Sequence, residues 1–382
     1  MPSPHFGTYD LQTLLEYDTT IIEFGEDRIL TAVRDSIAAH NEAVNTFLNP
    51  LVEFTNRRER PYGDRVGLTR VLGQRVDQYG AVDVMRPRIP DVEVGNIGFP
   101  LNRWQFAWQV NRDYVETATA ADIAMRTLGI QQGDIDRIEY EVKNAFFNPV
   151  SELTYRDQLI DNLVLPIRRL ANGDGQMLPL GPNGEIFDPN THTHYVGRAG
   201  GALAATDIDA LILNVIQHGI SGSIRIYINV AQEATMKAFP NFYQFEATEI
   251  VVREPERGTV TMRNPGPLIP TVNPPNPENM VLGRWNAKYD IATKPWVPAG
   301  YILVVDTGKR PIVWRTRQNP SAAFGAQGRA ALRIVGENER FPLRATWVER
   351  EFGLGIGDRL AAAVLYTGGN SYVMPTLTVP VM

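Results

Sequence analysis

The sequence contains no cysteine. Disulfides, thiolate metal sites and cysteine nucleophiles are therefore excluded, and stability has to come from packing and association. Lysine is scarce: Lys143, Lys237, Lys288, Lys294 and Lys309 are the full set, and the other 32 of the 37 basic residues are arginine. Arginine is the better residue for bidentate interface pairs, although GC-rich coding gives the same bias. Histidine is limited to His5, His40, His192, His194 and His218. No apolar run approaches the ~18 residues that a membrane-spanning helix needs. The N-terminus has no basic stretch followed by an apolar one, so neither anchor nor secretion signal is expected. A phosphate loop is missing too: Gly308-Lys309 is followed by Arg310, where Ser or Thr is required. Gly353, Gly355 and Gly357 lack the dinucleotide-binding spacing, and there is no G-x-S-x-G elbow. With no nucleophile–base–orienter set either, the sequence predicts neither an enzyme nor a cofactor.

What is present is ordinary globular composition: 382 residues, 43% hydrophobic and 21% charged. Wholesale disorder is excluded, and two or three domains fit the length. The net charge of −6 argues against a dedicated DNA binder, which needs a basic surface. The distribution says more than the sum. Residues 1–55 carry nine acids and two arginines, net −7, whereas residues 56–112 carry ten arginines and six acids, net +4. Two solvated faces would give this split. The sharper reading is an acidic segment meeting a basic one of another subunit, because complementary patches steer and register association. The candidate contacts are then Arg57, Arg58, Arg60, Arg65, Arg70, Arg75, Arg86 and Arg88 on one side. Glu16, Asp18, Glu23, Glu26 and Asp27 stand on the other.

Glu26 and Asp27 open a helix, their charge being favourable at its positive end. Ile29, Leu30, Val33, Ile37 and Val44 carry it at helical spacing to about Leu48. Glycines and prolines then punctuate residues 57–105. Val82-Asp83-Val84 and Val92-Glu93-Val94 have the period of a strand pair, with a tip at Arg86–Asp91. Such a hairpin has too few apolar residues for a core of its own, and elements of that kind lie on a partner. Thr117 or Thr119 caps a helix over Ala120–Leu128. After Gly129 and Gly133, Asp134 and Asp136 mark a second start running to Asn148, making one long, interrupted amphipathic helix. Further on, the pattern predicts a helix over Asp207–His218 capped by Thr206, and a strand over Ser223–Asn229. A short helix over Ala231–Phe239 and a strand over Thr248–Arg253 follow. Six prolines in 264–279 predict a projecting loop. Strands are expected within Trp296–Asp306, over Arg344–Phe352 and over Leu360–Tyr366. Helices and strands interleave without repeated βαβ units, which makes the fold α+β.

One stretch looks metal-like. In Asp188-Pro-Asn-Thr-His192-Thr-His194 the two histidines share a side if the segment is extended, and Asp188 could add an oxygen. The alternative is a loop whose histidines make ordinary hydrogen bonds. His218, just before Gly219, reads as a cation favouring a helix C-terminus. Trp104, Phe106 and Trp108 alternate, which suits core or interface packing better than a nucleic-acid platform, since basic neighbours along one face are lacking.

The order of these segments, together with several stretches, resembles the major capsid protein of tailed double-stranded DNA phages, the Hong Kong 97-type fold. The stretches are Arg112-Asp-Tyr-Val-Glu-Thr-Ala-Thr119, Val142-Lys-Asn-Ala-Phe-Phe-Asn-Pro149 and Phe187-Asp-Pro-Asn-Thr-His-Thr-His-Tyr195. Ile226-Tyr-Ile-Asn229, Trp296-Val-Pro-Ala-Gly-Tyr301 and Phe352-Gly-Leu-Gly-Ile-Gly-Asp-Arg359 complete them. The resemblance implies an N-terminal arm (1–56), an extended β-hairpin loop (57–112) and a peripheral domain with a spine helix (113–165). An axial domain (166–335) and a return strand with a C-terminal axial strand (336–382) would follow. It implies self-assembly into pentamers and hexamers of an icosahedral shell around DNA, without sequence-specific binding and without a membrane. Scaffold, portal and decoration proteins would be further partners, and the virion, assembled in the host cytoplasm, the location. Some members of this family weld their shells through a lysine on the extended loop. Residues 57–112 contain none, so shell strength would be noncovalent. A scaffolding prodomain is not evident. The alternatives are an encapsulin-type cellular nanocompartment and, further off, a metal-dependent enzyme using His192 and His194.

Overall fold

The computed structural model describes residues 10–16, 19–62, 95–111, 114, 117–150, 153–158, 161–176, 178–198, 202–244, 249–254, 258–263, 281–317, 331–340 and 343–380. They fall into two units, one of residues 1–169, 312–357 and 376–382, the other of 170–311 and 358–375. Helices and several sheets make the chain α+β, as expected.

The first unit is built on the helix Ala120–Phe147, 28 residues long. Thr119 is its N-cap: its hydroxyl accepts from the Asp122 amide at 3.2 Å, and the Asp122 carboxylate accepts from the Thr119 amide at 3.0 Å. Two orphan donors are satisfied by one reciprocal pair. Thr119→Ala removes half of it, and a loss of about 1 kcal/mol in guanidinium unfolding is expected. The helix runs through Gly129 and Gly133 without the interruption expected from sequence. Each glycine costs about 1 kcal/mol against alanine. The buried row Ile123, Ala124, Ile138, Val142, Ala145 and Phe146 outweighs that. Gly133 also has a packing use, because a Cβ there would sit 3.2 Å from the Phe106 ring.

Continuity of the helix changes the meaning of Asp134. It does not start a helix. It sits in mid-helix, buried, and its carboxylate accepts from Arg350 Nε and Nη2, both at 2.8 Å. His40 Nε2 lies 2.8 Å from the same carboxylate. Asp136, expected to share its role, is exposed and accepts from Gln132 at 2.8 Å.

The helix Glu26–Leu48 forms as its spacing predicts. Ile29, Ala32, Val33 and Ile37 pack with Ala120, Ile123 and Ala124, and Leu11, Leu14, Ile21 and Phe24 join the same core cluster. The N-terminal segment is therefore packed on its own chain from Leu11 onward. An apolar stripe of helical period buries itself on the nearest matching face.

The sheet of this unit centres on the 14-residue strand Leu343–Ile356. Arg333–Arg340 pairs with it antiparallel, and so does Asn102–Asn111, from Leu343↔Asn111 to Phe352↔Asn102. Ile312–Arg315 pairs antiparallel with its C-terminal end and parallel with Val52–Thr55. Residues 312–357 belong to this unit. Trp314 stacks on Phe352, ring centroids 4.4 Å apart. Two short strands, Glu59–Tyr62 and Gly95–Gly98, pair antiparallel from Glu59↔Gly98 to Tyr62↔Gly95. They form a stem enclosing residues 63–94. The expected strands Val82–Val84 and Val92–Val94 and the tip Arg86–Asp91 lie outside the described residues, as does the 264–279 loop.

The second unit holds a seven-stranded mixed sheet. Its order is Tyr195–Gly197, Ala362–Tyr366, Tyr301–Asp306, Ile224–Ile228, Tyr289–Thr293, Val281–Trp285 and Phe242–Gln244. Tyr301–Asp306 is an inner strand of this sheet and every residue of it is buried, which accounts for its unbroken apolar run. The helix Ala205–Ile216 lays Ile208, Leu211, Ile212 and Val215 against Ile224, Ile226, Ile302, Val304 and Leu365. Ala204, not Thr206, is its N-cap, and the Asp207 carboxylate accepts from the Ala204 amide at 2.9 Å. Asp209 accepts from the buried Trp285 indole at 2.7 Å.

Candidate functional site

In the second unit, His192, His194 and His218 converge. Their Nε2 atoms lie 3.0 Å (His192–His194), 2.9 Å (His192–His218) and 3.2 Å (His194–His218) apart. Two pieces of local structure deliver them. The first is the turn that opens at Asp188. Its carboxylate accepts from the Asn190 amide at 3.0 Å and from the Thr191 hydroxyl at 2.8 Å, and its carbonyl accepts from the His192 amide at 2.9 Å. The chain beyond is extended: Thr193 bridges to Asn172, and the His194 amide donates to the Ala171 carbonyl at 2.8 Å. Alternation then places His192 and His194 on one side. The second is the end of helix Ala205–Ile216, after which Gly219 adopts φ +81° and turns the chain back. Asn214 on that helix donates to the Thr193 carbonyl at 2.9 Å and pins the two pieces together.

His194 is fully buried, and its Nδ1 lies 2.6 Å from the Ala362 carbonyl. A carbonyl only accepts, so that nitrogen carries the proton and Nε2 presents a lone pair. His218 Nδ1 is buried without a hydrogen-bond partner among the described residues. The Gln217 amide nitrogen, held by Asn214, is 3.5 Å from His218 Nε2. Phe187 packs on His218 and His192 at ring distances of 4.1 and 5.0 Å. Burial pushes all three imidazoles below their usual range. His194 lies well below it, with the neighbouring His218 adding to the effect. His218 falls to about 3, with His192 and Lys309 adding to burial. His192 is lowered by burial alone. Burial therefore favours the neutral form of each ring.

Asp188 is not part of this group, since its oxygens shape the turn. His218, read from sequence as a helix-terminus cation, is the third member in its place. Its separation from His192 hid it. The available signal was that three of only five histidines stand at turns of the same region.

The charged candidates are distributed differently. Arg58 pairs with Asp161, and Arg60 donates to Glu53 at 2.9 Å, both within the chain. Arg57, Glu16, Glu23 and Asp27 are exposed. Asp18, Arg65, Arg70, Arg75, Arg86 and Arg88 lie outside the described residues, as does the side chain of Glu26. Trp104 is no open platform: the Arg137 guanidinium lies 3.6 Å from its ring centroid and Phe352 packs at 6.3 Å. Phe106 packs on the core cluster of the first unit. Among the described residues, no helix is long and apolar enough to cross a membrane.

No family model matches the sequence, and no curated protein matches it. Among solved structures, a chain of Mycobacterium phage Patience is similar over 98% of this chain and 97% of its own, at 22% identity and a TM-score of 0.59. The capsid of an empty GTA particle is similar over 84% and 88%, at 11% identity and a TM-score of 0.42. The holo-SrpI encapsulin complex from Synechococcus elongatus PCC 7942 is similar over 85% and 88%, at 15% identity and a TM-score of 0.39. The end-to-end likeness to the phage chain, with the long helix beside the long-stranded sheet and the separate mixed-sheet unit, fixes the architecture. The chain has the Hong Kong 97-type fold that its sequence resembles.

Proposed function

We propose that the chain is a major capsid protein. It assembles into pentamers and hexamers that tile an icosahedral shell around packaged double-stranded DNA. The observation that carries this reading is the likeness to a phage chain over essentially the full length of both. Head-to-tail contacts between identical copies close into rings, and rings tile. The stem Glu59–Tyr62/Gly95–Gly98 supports it, because it presents a 32-residue excursion that the sequence gives no core of its own. The net charge of −6 suits a wall that contains DNA without gripping it. The protein is then structural, not enzymatic. It acts with scaffold, portal and decoration proteins, is assembled in the host cytoplasm and resides in the virion. The exposed Arg57, Glu16, Glu23 and Asp27 are contacts between subunits in this reading.

Negative-stain electron microscopy of the purified full-length protein tests it. Closed shells of uniform diameter, or pentamers and hexamers that convert to them, are expected. A protein that stays monomeric across salt, pH and concentration, including conditions that condense other shells, would remove the proposal. Shells that fill with a cellular enzyme instead of DNA would replace it with a nanocompartment.

A further inference from the structure

We infer that His192, His194 and His218 form a metal centre, binding one divalent cation of the zinc type per chain through their three Nε2 atoms. The argument starts from lone pairs. His194 has its proton on Nδ1, committed to the Ala362 carbonyl, so its Nε2 only accepts. Three Nε2 atoms within 3.2 Å of one another make three close approaches. A ring N–H points in one direction only. With one proton among the three nitrogens, at least one approach is lone pair against lone pair. With two protons, two N–H groups are aimed at the same point. Hydrogen bonding among neutral imidazoles therefore leaves the cluster unsatisfied in either arrangement. A single cation at the common point satisfies all three nitrogens together.

The geometry suits the ion. Nitrogens 2.9–3.2 Å apart, each about 2.0–2.1 Å from a shared centre, subtend angles of roughly 90–100° there. Opening the triangle by a few tenths of an ångström reaches a tetrahedral arrangement. Imidazole selects zinc, cobalt, nickel or copper over calcium or magnesium, which want oxygen. The bond from His194 to the Ala362 carbonyl is the outer support that orients metal-bound histidines. Phe187 shields His192 and His218 with an apolar ring. Of the nearby cations, Arg359 is matched by Asp174 at 2.5 Å, which limits its repulsion of a bound ion, and Lys309 donates to the His218 carbonyl at 3.2 Å. His192 and His218 are each only partly buried, which leaves the fourth position to water.

The function of the centre is to staple. It joins the turn after Asp188, the lead into edge strand Tyr195–Gly197 and the end of helix Ala205–Ile216. A metal crosslink across about 25 residues does in a cysteine-free chain what a disulfide does elsewhere.

The test uses untagged full-length protein, stripped with a chelator and reloaded with one equivalent of Zn2+. After gel filtration, elemental analysis is expected to find close to one zinc per chain. Excess Zn2+ at about 100 times its dissociation constant should raise the unfolding midpoint by roughly 5–10 °C. Co2+ should give the visible absorption of a low-symmetry nitrogen site. His192→Ala and His218→Ala should each lose both the bound metal and the thermal shift. His192 is the safer variant for folding, because its ring is only partly buried and meets the other two histidines and Phe187. Far-ultraviolet circular dichroism of the metal-free variants checks that they fold. A wild-type protein that retains no zinc overturns the inference. So does zinc retained at full stoichiometry by folded His192→Ala and His218→Ala. The readout is independent of shell formation, so failure here leaves the capsid reading untouched.

Discussion

Replacing Asp134 by alanine is expected to destabilise the first unit by about 3–5 kcal/mol. That is equivalent to lowering its unfolding midpoint by roughly 6–20 °C. The carboxylate is buried and accepts both forks of the Arg350 guanidinium. Arg350 is itself buried and also donates to Asn41 at 2.8 Å, and Asn41 in turn holds the Leu332 backbone from both sides. His40 completes the set from the helix Glu26–Leu48. One carboxylate thus fastens that helix, the helix Ala120–Phe147 and the strand Leu343–Ile356. Its removal does not simply delete a favourable pair. It leaves a guanidinium in the interior without the carboxylate that balances its charge, and that uncompensated charge supplies most of the cost. Asp136→Ala is the control. It lies two residues away on an exposed face, and a change within about 0.5 kcal/mol is expected. Guanidinium or thermal unfolding of the two variants decides the matter. Equal small effects would mean that the ion pair is dispensable to the fold.

The same pair of aspartates shows where sequence reading stops. Both carry the same local signal, an acid after a glycine at the start of an apolar row. Only the continuity of the helix, set by tertiary packing against Phe106 and the strand behind it, makes one a buried ion and the other a solvated one. What was legible was local and periodic. The stripe Ile29–Val44 gave its helix almost to the residue, and of the two candidate caps Thr117 and Thr119, Thr119 caps the helix Ala120–Phe147. The apolar run before Asp306 gave an inner strand. What was not legible was pairing at a distance. Asn102–Asn111 was visible only as alternating aromatics until its partner Leu343–Ile356 was known. The N-terminal segment showed an amphipathic face without showing that its own chain would cover it. The histidine trio is the sharpest case. The i, i+2 pair was readable, whereas the third member depends on a helix end folded against it by Asn214. Asp188, which proximity in sequence suggests as an oxygen ligand, shapes the turn instead.

Replacing residues 63–94 with Asn-Gly is expected to abolish shell formation while leaving the subunit folded. The stem makes this a clean cut. Tyr62 and Gly95 are a register pair at the end of an antiparallel ladder, so a two-residue turn can close it, and Asn-Gly is the sequence that such turns favour. The anchor below the cut stays intact: Arg60 keeps Glu53, and the Phe99 amide keeps the Arg58 carbonyl at 2.8 Å. Gly98 lies so close to Leu165 that a Cβ would meet it at 2.6 Å, so the stem is packed at its base and does not depend on what it carries. What is removed is 32 residues, about the number that one side of a standard protein interface contributes, or roughly 800 Å² per partner. In a closed shell that deficit is repeated at every subunit. Each step of about 1.4 kcal/mol taken from the binding free energy of an interface weakens that association about tenfold. Circular dichroism and thermal unfolding should therefore match the parent protein, whereas electron microscopy and sedimentation should show subunits and small rings only. Shells of normal size and yield from this variant would mean that the excursion lies idle, and that the clasp between subunits is made by the packed units themselves.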